Sequence, residues 1–115
     1  SDAAERAVRG GGATVAWSEV ETAVAASEVV VNATPIGMRG EPPPFRAEAL
    51  HKGQVVVDLV YDPALTPMLA AAAEAGARTL NGLGMLVHQA ALAFELWTGQ
   101  AAPLADMHAA VDGRA

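Results

Sequence analysis

The chain has 115 residues, 52% of them apolar, and a formal net charge of −6; its isoelectric point is near 4.8 and its mean hydropathy +0.26. That length suits one domain with a modest core, and the apolar content opposes disorder, so a single domain over residues 1–115 is expected. Its only lysine is Lys52 and its arginines are scattered, which excludes the clustered positive charge that nucleic acid requires.

No apolar run approaches the length of a membrane span, and no signal-peptide pattern opens the chain. Cysteine is absent, which excludes disulfides and thiolate metal sites and fits a reducing compartment. A cytoplasmic protein handling a small molecule is the expectation.

Residues 1–9 read as a helix already under way, stopped by Gly10-Gly11-Gly12. With no initiator Met, that beginning predicts a piece of a longer chain. Residues 13–17 are short and β-prone and predict a strand. Ser18 is a candidate N-cap for a helix over 19–27, with Glu21 three residues on completing a capping-box pattern. Val29-Val30-Val31 predicts a strand covered on both faces, ending in Asn32-Ala-Thr34-Pro-Ile-Gly-Met38. A proline-rich loop follows over 39–45, then a helical turn over 46–50. Residues 54–59 predict a second buried strand, leading into Val60-Tyr61-Asp62-Pro63. Thr66 and Pro67 predict an N-cap and first-turn proline for an alanine-rich helix over 68–75, closed by Gly76. A short strand over 78–81, a long apolar helix opened by Gly82 and Gly84, and a small amphipathic helix over about 103–111 complete the chain. About four strands thus alternate with helices. The predicted fold is α/β, a partial doubly wound parallel sheet with helices on both faces and right-handed crossovers.

Ligands of such sheets bind outside the carboxyl ends of the strands, where the polar and turn-forming residues of this chain collect. Pro35 biases Thr34 toward an extended conformation, which presents its hydroxyl and backbone at the crevice edge. Gly82 and Gly84 permit close approach of another molecule at a helix N-terminus, or they form a tight strand-to-helix turn. Asn32 and Thr34 either meet a ligand or cap the strand end. Asp58 is expected to bond a neighbouring loop N–H or to cap a helix, and Tyr61 to pack in a turn. His51, His88 and His108 lack metal-site spacing, so no metal is predicted.

Gln89 raises a separate question. At roughly 100° per residue, His88, Ala91, Glu95 and Thr98 form a solvent arc, whereas Gln89 shares a sector with Met85, Leu92, Ala93 and Leu96. On that expectation its carboxamide is buried, and an unpartnered buried amide costs about 1–3 kcal/mol. Its partner is either a loop carbonyl or water, or a hydroxyl-bearing ligand.

Taken together, Asn32-Ala-Thr-Pro-Ile-Gly-Met38, Val57-Asp-Leu-Val-Tyr61-Asp-Pro-Ala-Leu-Thr-Pro67 and Gly82-Leu-Gly-Met85-Leu-Val-His-Gln89-Ala-Ala-Leu-Ala-Phe-Glu-Leu-Trp-Thr-Gly99 resemble the C-terminal half of the shikimate dehydrogenases, in the same order and spacing. The resemblance covers about residues 1–111. It implies the Rossmann-like NADP domain of a two-domain oxidoreductase that reversibly reduces 3-dehydroshikimate to shikimate in aromatic amino acid (chorismate) biosynthesis. By that pattern Tyr61 and Gln89 contact the substrate, while Thr34, Leu59, Gly82 and Met85 lie along NADP. The family's catalytic Lys and Asp, its glycine-rich pyrophosphate loop and its 2′-phosphate motif have no counterpart here, so the chain alone is expected to be inactive and to bind NADP weakly or not at all. In the order 3-2-1-4-5-6, residues 13–17 and 28–31 would be the third and fourth strands, each with a bare edge. That predicts pairing with the absent N-terminal portion, a homo-oligomer, or a direct meeting of the two strands. The alternatives are a quinate/shikimate dehydrogenase using NAD, and a non-catalytic interaction module on the same fold.

Overall fold

The computed structural model describes residues 2–112. Helix α1 (Asp2–Arg9) has Asp2 and Glu5 in its first turn and Arg6 and Arg9 in its last, the charge order that complements a helix dipole. It ends at the glycine run, where the Gly12 N–H donates to the Ala7 carbonyl at 2.8 Å. Residues 12–16 form no strand, contrary to expectation. β-prone side chains make a strand only when a neighbour takes up the backbone hydrogen bonds, and no described strand pairs with this segment.

The predicted cap at Ser18 is also absent. A turn of 3₁₀ helix over Trp17–Glu19 takes Ser18 into its interior, and helix α2 (Val20–Ala26) starts after it with no side-chain cap bond. Glu21 turns elsewhere. Its carboxylate accepts the Arg46 backbone N–H at 2.7 Å, tying α2 to the 3₁₀ turn over Ala47–Ala49.

The sheet consists of β1 (Val29–Asn32), β2 (Val55–Asp58) and β3 (Arg78–Leu80), three parallel strands in the order β1-β2-β3. Helix α3 (Pro67–Glu74) connects the last two. Thr66 caps it as predicted, its hydroxyl oxygen accepting the Leu69 N–H, with Pro67 in the first turn. Val30 pairs with Val56, while Val29 and Val31 pair with Val55 and Val57; registered residues of parallel strands point to the same face. Val30 and Val56 are buried in one core with Val24, Ala49, Leu50, Met68, Leu69 and Ala72.

The opposite face is open. Val29 and Val31 are 57% and 53% exposed and Leu80 is exposed, while Val55 and Val57 are half-buried. The continuous valine run thus reports a strand made for cover on both faces, and β1 has cover on only one. Its outer edge pairs with nothing among the described residues; in particular residues 13–17 do not come alongside it.

Helix α4 (Leu83–Thr98) buries Leu83, Val87 and Ala91, a four-residue stripe, and packs with helix α5 (Leu104–Asp112). The rings of His88 and His108 meet edge to face with centroids 5.6 Å apart. The radius of gyration is 16.4 Å, against about 13 Å for a close-packed domain of this length. That excess agrees with the uncovered sheet face. Among the described residues no helix is long and apolar enough to cross a membrane.

Candidate functional site

The carboxyl ends of β1 and β2 open into a crevice of about 430 Å³ lined by Ala33, Thr34, Pro35, Met38, Leu59, Val60, Tyr61 and Asp62. Three of the residues singled out in the sequence, Thr34, Leu59 and Tyr61, therefore meet at one place. The loop after β1 is built by Asn32. Its Oδ1 accepts the Thr34 N–H at 3.1 Å and the Thr34 hydroxyl at 2.6 Å, and its Nδ2 donates to the Ile36 carbonyl at 2.8 Å. The Thr34 hydroxyl also accepts the Ile36 N–H at 3.2 Å. Its polar capacity is thus turned into the loop, and Thr34 offers the crevice chiefly its methyl and backbone. Gly37 then takes φ 106°, a conformation open to glycine, with Thr66 Cβ only 3.4 Å from where a Cβ would lie.

Asp58 is fully buried at the end of β2. It accepts from Asn32 Nδ2 at 3.0 Å, from the Val60 N–H at 3.0 Å and from the Thr66 hydroxyl at 2.7 Å. The expected bond to a loop N–H is present, joined by two side-chain donors. Tyr61 stands exposed on the loop beyond, followed by a cis Asp62–Pro63 bond.

The third loop closes against the second. A Cβ on Gly82 would overlap the Leu59 carbonyl oxygen and lie 2.7 Å from its carbon, and the Gly82 N–H donates to the Val60 carbonyl at 3.2 Å. Of the two readings of this glycine, the tight strand-to-helix turn is realised within the chain itself. Gly84 differs, because a Cβ there meets nothing within 4 Å. Asn81 precedes the N-cap residue Gly82, and its Oδ1 accepts the Leu83 N–H at 3.0 Å.

Gln89 is exposed, as are its sector neighbours Met85, Leu92 and Leu96, so the expected burial does not occur. Ala91, assigned to the solvent arc, is buried instead. Periodicity sorted the residues of α4 into faces, but it could not say which face the rest of the chain would cover. Met85 and Gln89, four residues apart, share the open face.

The buried carboxamide of this chain is Gln54, which sequence reasoning passed over. At 2% exposure, its Oε1 accepts the His51 N–H at 2.9 Å and its Nε2 donates to the Val24 and Ser27 carbonyls at 2.8 and 3.1 Å. The available signal was an amide leading directly into the run Val55-Val56-Val57. Its partners are carbonyls at the end of α2, so its work is structural.

A second cavity, of about 170 Å³, lies on the α2 side of β1 between Trp17, Val20, Val24, Val30 and Phe45. Its polar rim of Asn32, Asp58 and Thr66 is already hydrogen-bonded internally. Among the described residues no three His, Cys, Asp or Glu side chains are grouped to hold a metal ion.

The family described as shikimate 5'-dehydrogenase C-terminal domain matches residues 82–111. The shikimate dehydrogenase (NADP(+)) of Methanopyrus kandleri is 47% identical over 96 residues, covering 81% of this chain and 33% of that protein. The structure of Listeria monocytogenes shikimate 5-dehydrogenase in complex with shikimate and NAD superposes with a TM-score of 0.78 at 34% identity, covering 87% of this chain and 37% of the other. Corynebacterium glutamicum quinate dehydrogenase in complex with NAD gives a TM-score of 0.76 at 41% identity, covering 81% and 33%. The chain spans about a third of the length of the curated relatives it matches. By the ordered strand-end motifs, the α4–α5 match and the parallel β1-β2-β3 half-sheet, the chain belongs with the C-terminal portion of the shikimate dehydrogenase family.

Proposed function

We propose that this chain is the cofactor-side portion of an NADP-dependent enzyme that interconverts 3-dehydroshikimate and shikimate. The supporting observation is the convergence of the three matched motifs: Thr34, Leu59 and Tyr61 line one crevice, and Gly82 seats the start of α4 against Leu59. From there α4 carries Met85 and Gln89 on its open face.

In this reading Thr34, Leu59, Gly82 and Met85 hold the dinucleotide, which supplies the hydride when bound. The residues fit such a group. Leu59, Val60, Pro35 and Met38 give the crevice an apolar bed, which excludes water from a hydride path and fixes a ring's face, and the open space at Gly84 leaves room beside the helix start. Tyr61 and Gln89 orient the substrate hydroxyls, the carboxamide of Gln89 being able both to donate and to accept. The proton comes from the catalytic Lys and Asp that the family carries in its N-terminal domain, so the isolated chain is inactive. NADP, shikimate and an N-terminal portion are its partners, and the cytoplasm is its place.

Mixing this chain with the N-terminal portion of a relative tests the proposal. Shikimate-dependent reduction of NADP+ should appear with both parts and with neither alone. Absence of activity with both parts folded would refute it. The Corynebacterium similarity gives the second reading its specific footing: faster turnover of quinate with NAD+ would move the chain to the quinate enzymes.

A further inference from the structure

We infer that Asp58 is a positioning residue that sets the three strand-end loops at fixed spacing, a role that rests on the function proposed above. The carboxylate is buried, and its oxygens are taken up by three donors from within the chain. Each of its three donors leads to a different part of the site. Through Asn32 Nδ2 at 3.0 Å it reaches the first loop, where Asn32 Oδ1 holds both the N–H and the hydroxyl of Thr34. Through the Thr66 hydroxyl at 2.7 Å it closes residues 58–66 into a loop carrying Leu59 and Tyr61, and the same hydroxyl oxygen caps α3. Through the Val60 N–H at 3.0 Å it holds the residue whose own carbonyl accepts the Gly82 N–H at 3.2 Å. One side chain therefore relates the dinucleotide-facing residues Thr34 and Gly82 to the substrate-facing Tyr61.

A buried carboxylate is a costly way to fill a strand end. Such groups persist when every donor around them is used, and they then specify one arrangement. No buried side-chain polar atom among the described residues lacks a partner, so this hub is fully satisfied. Asn32 likewise has both its amide hydrogens and its carbonyl oxygen engaged within the chain. It belongs to the same positioning device and is not a ligand contact.

The test has two arms. In the chain alone, amide hydrogen exchange is followed in Asp58→Asn, Thr66→Val and Thr66→Ser. The first two should speed exchange at Thr34, Val60 and Gly82 together by about tenfold while core amides are unchanged; Thr66→Ser, which keeps the hydroxyl, should behave as wild type. Faster exchange confined to Leu69 in Thr66→Val would mean a local helix cap and overturn the inference. If Asp58→Asn does not fold, Thr66→Val decides. In the two-part enzyme, Thr66→Val should raise KM for NADP+ and for shikimate together with kcat changed less, and Thr66→Ser should restore both. A lowered melting temperature with both KM values unchanged would overturn the role. Should the wild-type mixture show no activity, the proposed function fails, and the exchange arm still decides whether Asp58 couples the loops.

Discussion

The strand-end loops and the outward faces of this chain are built on opposite terms. In the loops, polar groups find partners inside the chain: Asn32 and Thr66 both donate to Asp58, and Gly82 fits against Leu59 with no room for a methyl. On the faces, apolar side chains find none. Val29 and Val31 of β1, Leu92 and Leu96 of α4, and the 84%-exposed Trp97 lie open to solvent. A soluble chain that stood alone would gain by reversing the second arrangement, since contiguous exposed apolar surface marks an interaction site. The contrast places internally satisfied polar groups at the crevice and uncovered apolar side chains on the outward faces.

Substitutions on the two sides of that contrast should differ sharply. Gly82→Ala forces a methyl into the Leu59 carbonyl and should destabilise the chain by about 3 kcal/mol, read from urea denaturation. Gly84→Ala, with open space, should instead stabilise it by up to about 1 kcal/mol through helix propensity. Equal effects would break the assignment of Gly82 to the turn. The two glutamines form the next pair. Gln54→Ala strands the His51 N–H and the Val24 and Ser27 carbonyls and should cost about 2 kcal/mol, whereas Gln89→Ala, on an open face, should stay within about 0.5 kcal/mol of wild type. Leu96→Lys on the bare face of α4 should be as mild in the isolated chain, and a large loss there would show that the face is already covered in solution.

The smallest effect concerns Glu41. Its own N–H and that of Arg39, joined by the Gly37 N–H and the Arg39 charge, hold its carboxyl below the ordinary value of 4.5. A depressed carboxyl contributes order that is fully present above its ordinary pKa and lost as pH falls through the lowered one. The Gly37 and Arg39 amide shifts should therefore titrate with a midpoint below 4.5. Glu41→Gln should abolish the movement.

How much of this was legible in the sequence follows from what each signal measures. Thr66-Pro67 and Gly76 mark the ends of α3 by local chemistry, and the helix lies between them. The valine runs located β1 and β2 for the same reason, and the first two motifs supply the crevice lining. Residues 13–17 failed as a strand because strand formation depends on a neighbour that composition does not reveal. The burial of Gln89 failed likewise, since an apolar stripe records what a helix is made to meet and not what is present to meet it. Gln54 was missed because one amide beside a valine run looks like a strand flank. The bond of Asp58 to a loop N–H was anticipated, but its link to Asn32 spans 26 residues, beyond any local pattern.

The most direct test is the kinetic effect of Gln89→Ala in the two-part enzyme, because that side chain is exposed on the open face of α4. Placement of Gln89 against the substrate predicts that KM for shikimate rises about tenfold, the worth of a lost hydrogen bond, with KM for NADP+ unchanged. An unchanged KM for shikimate, or an equal rise for both ligands, would contradict it.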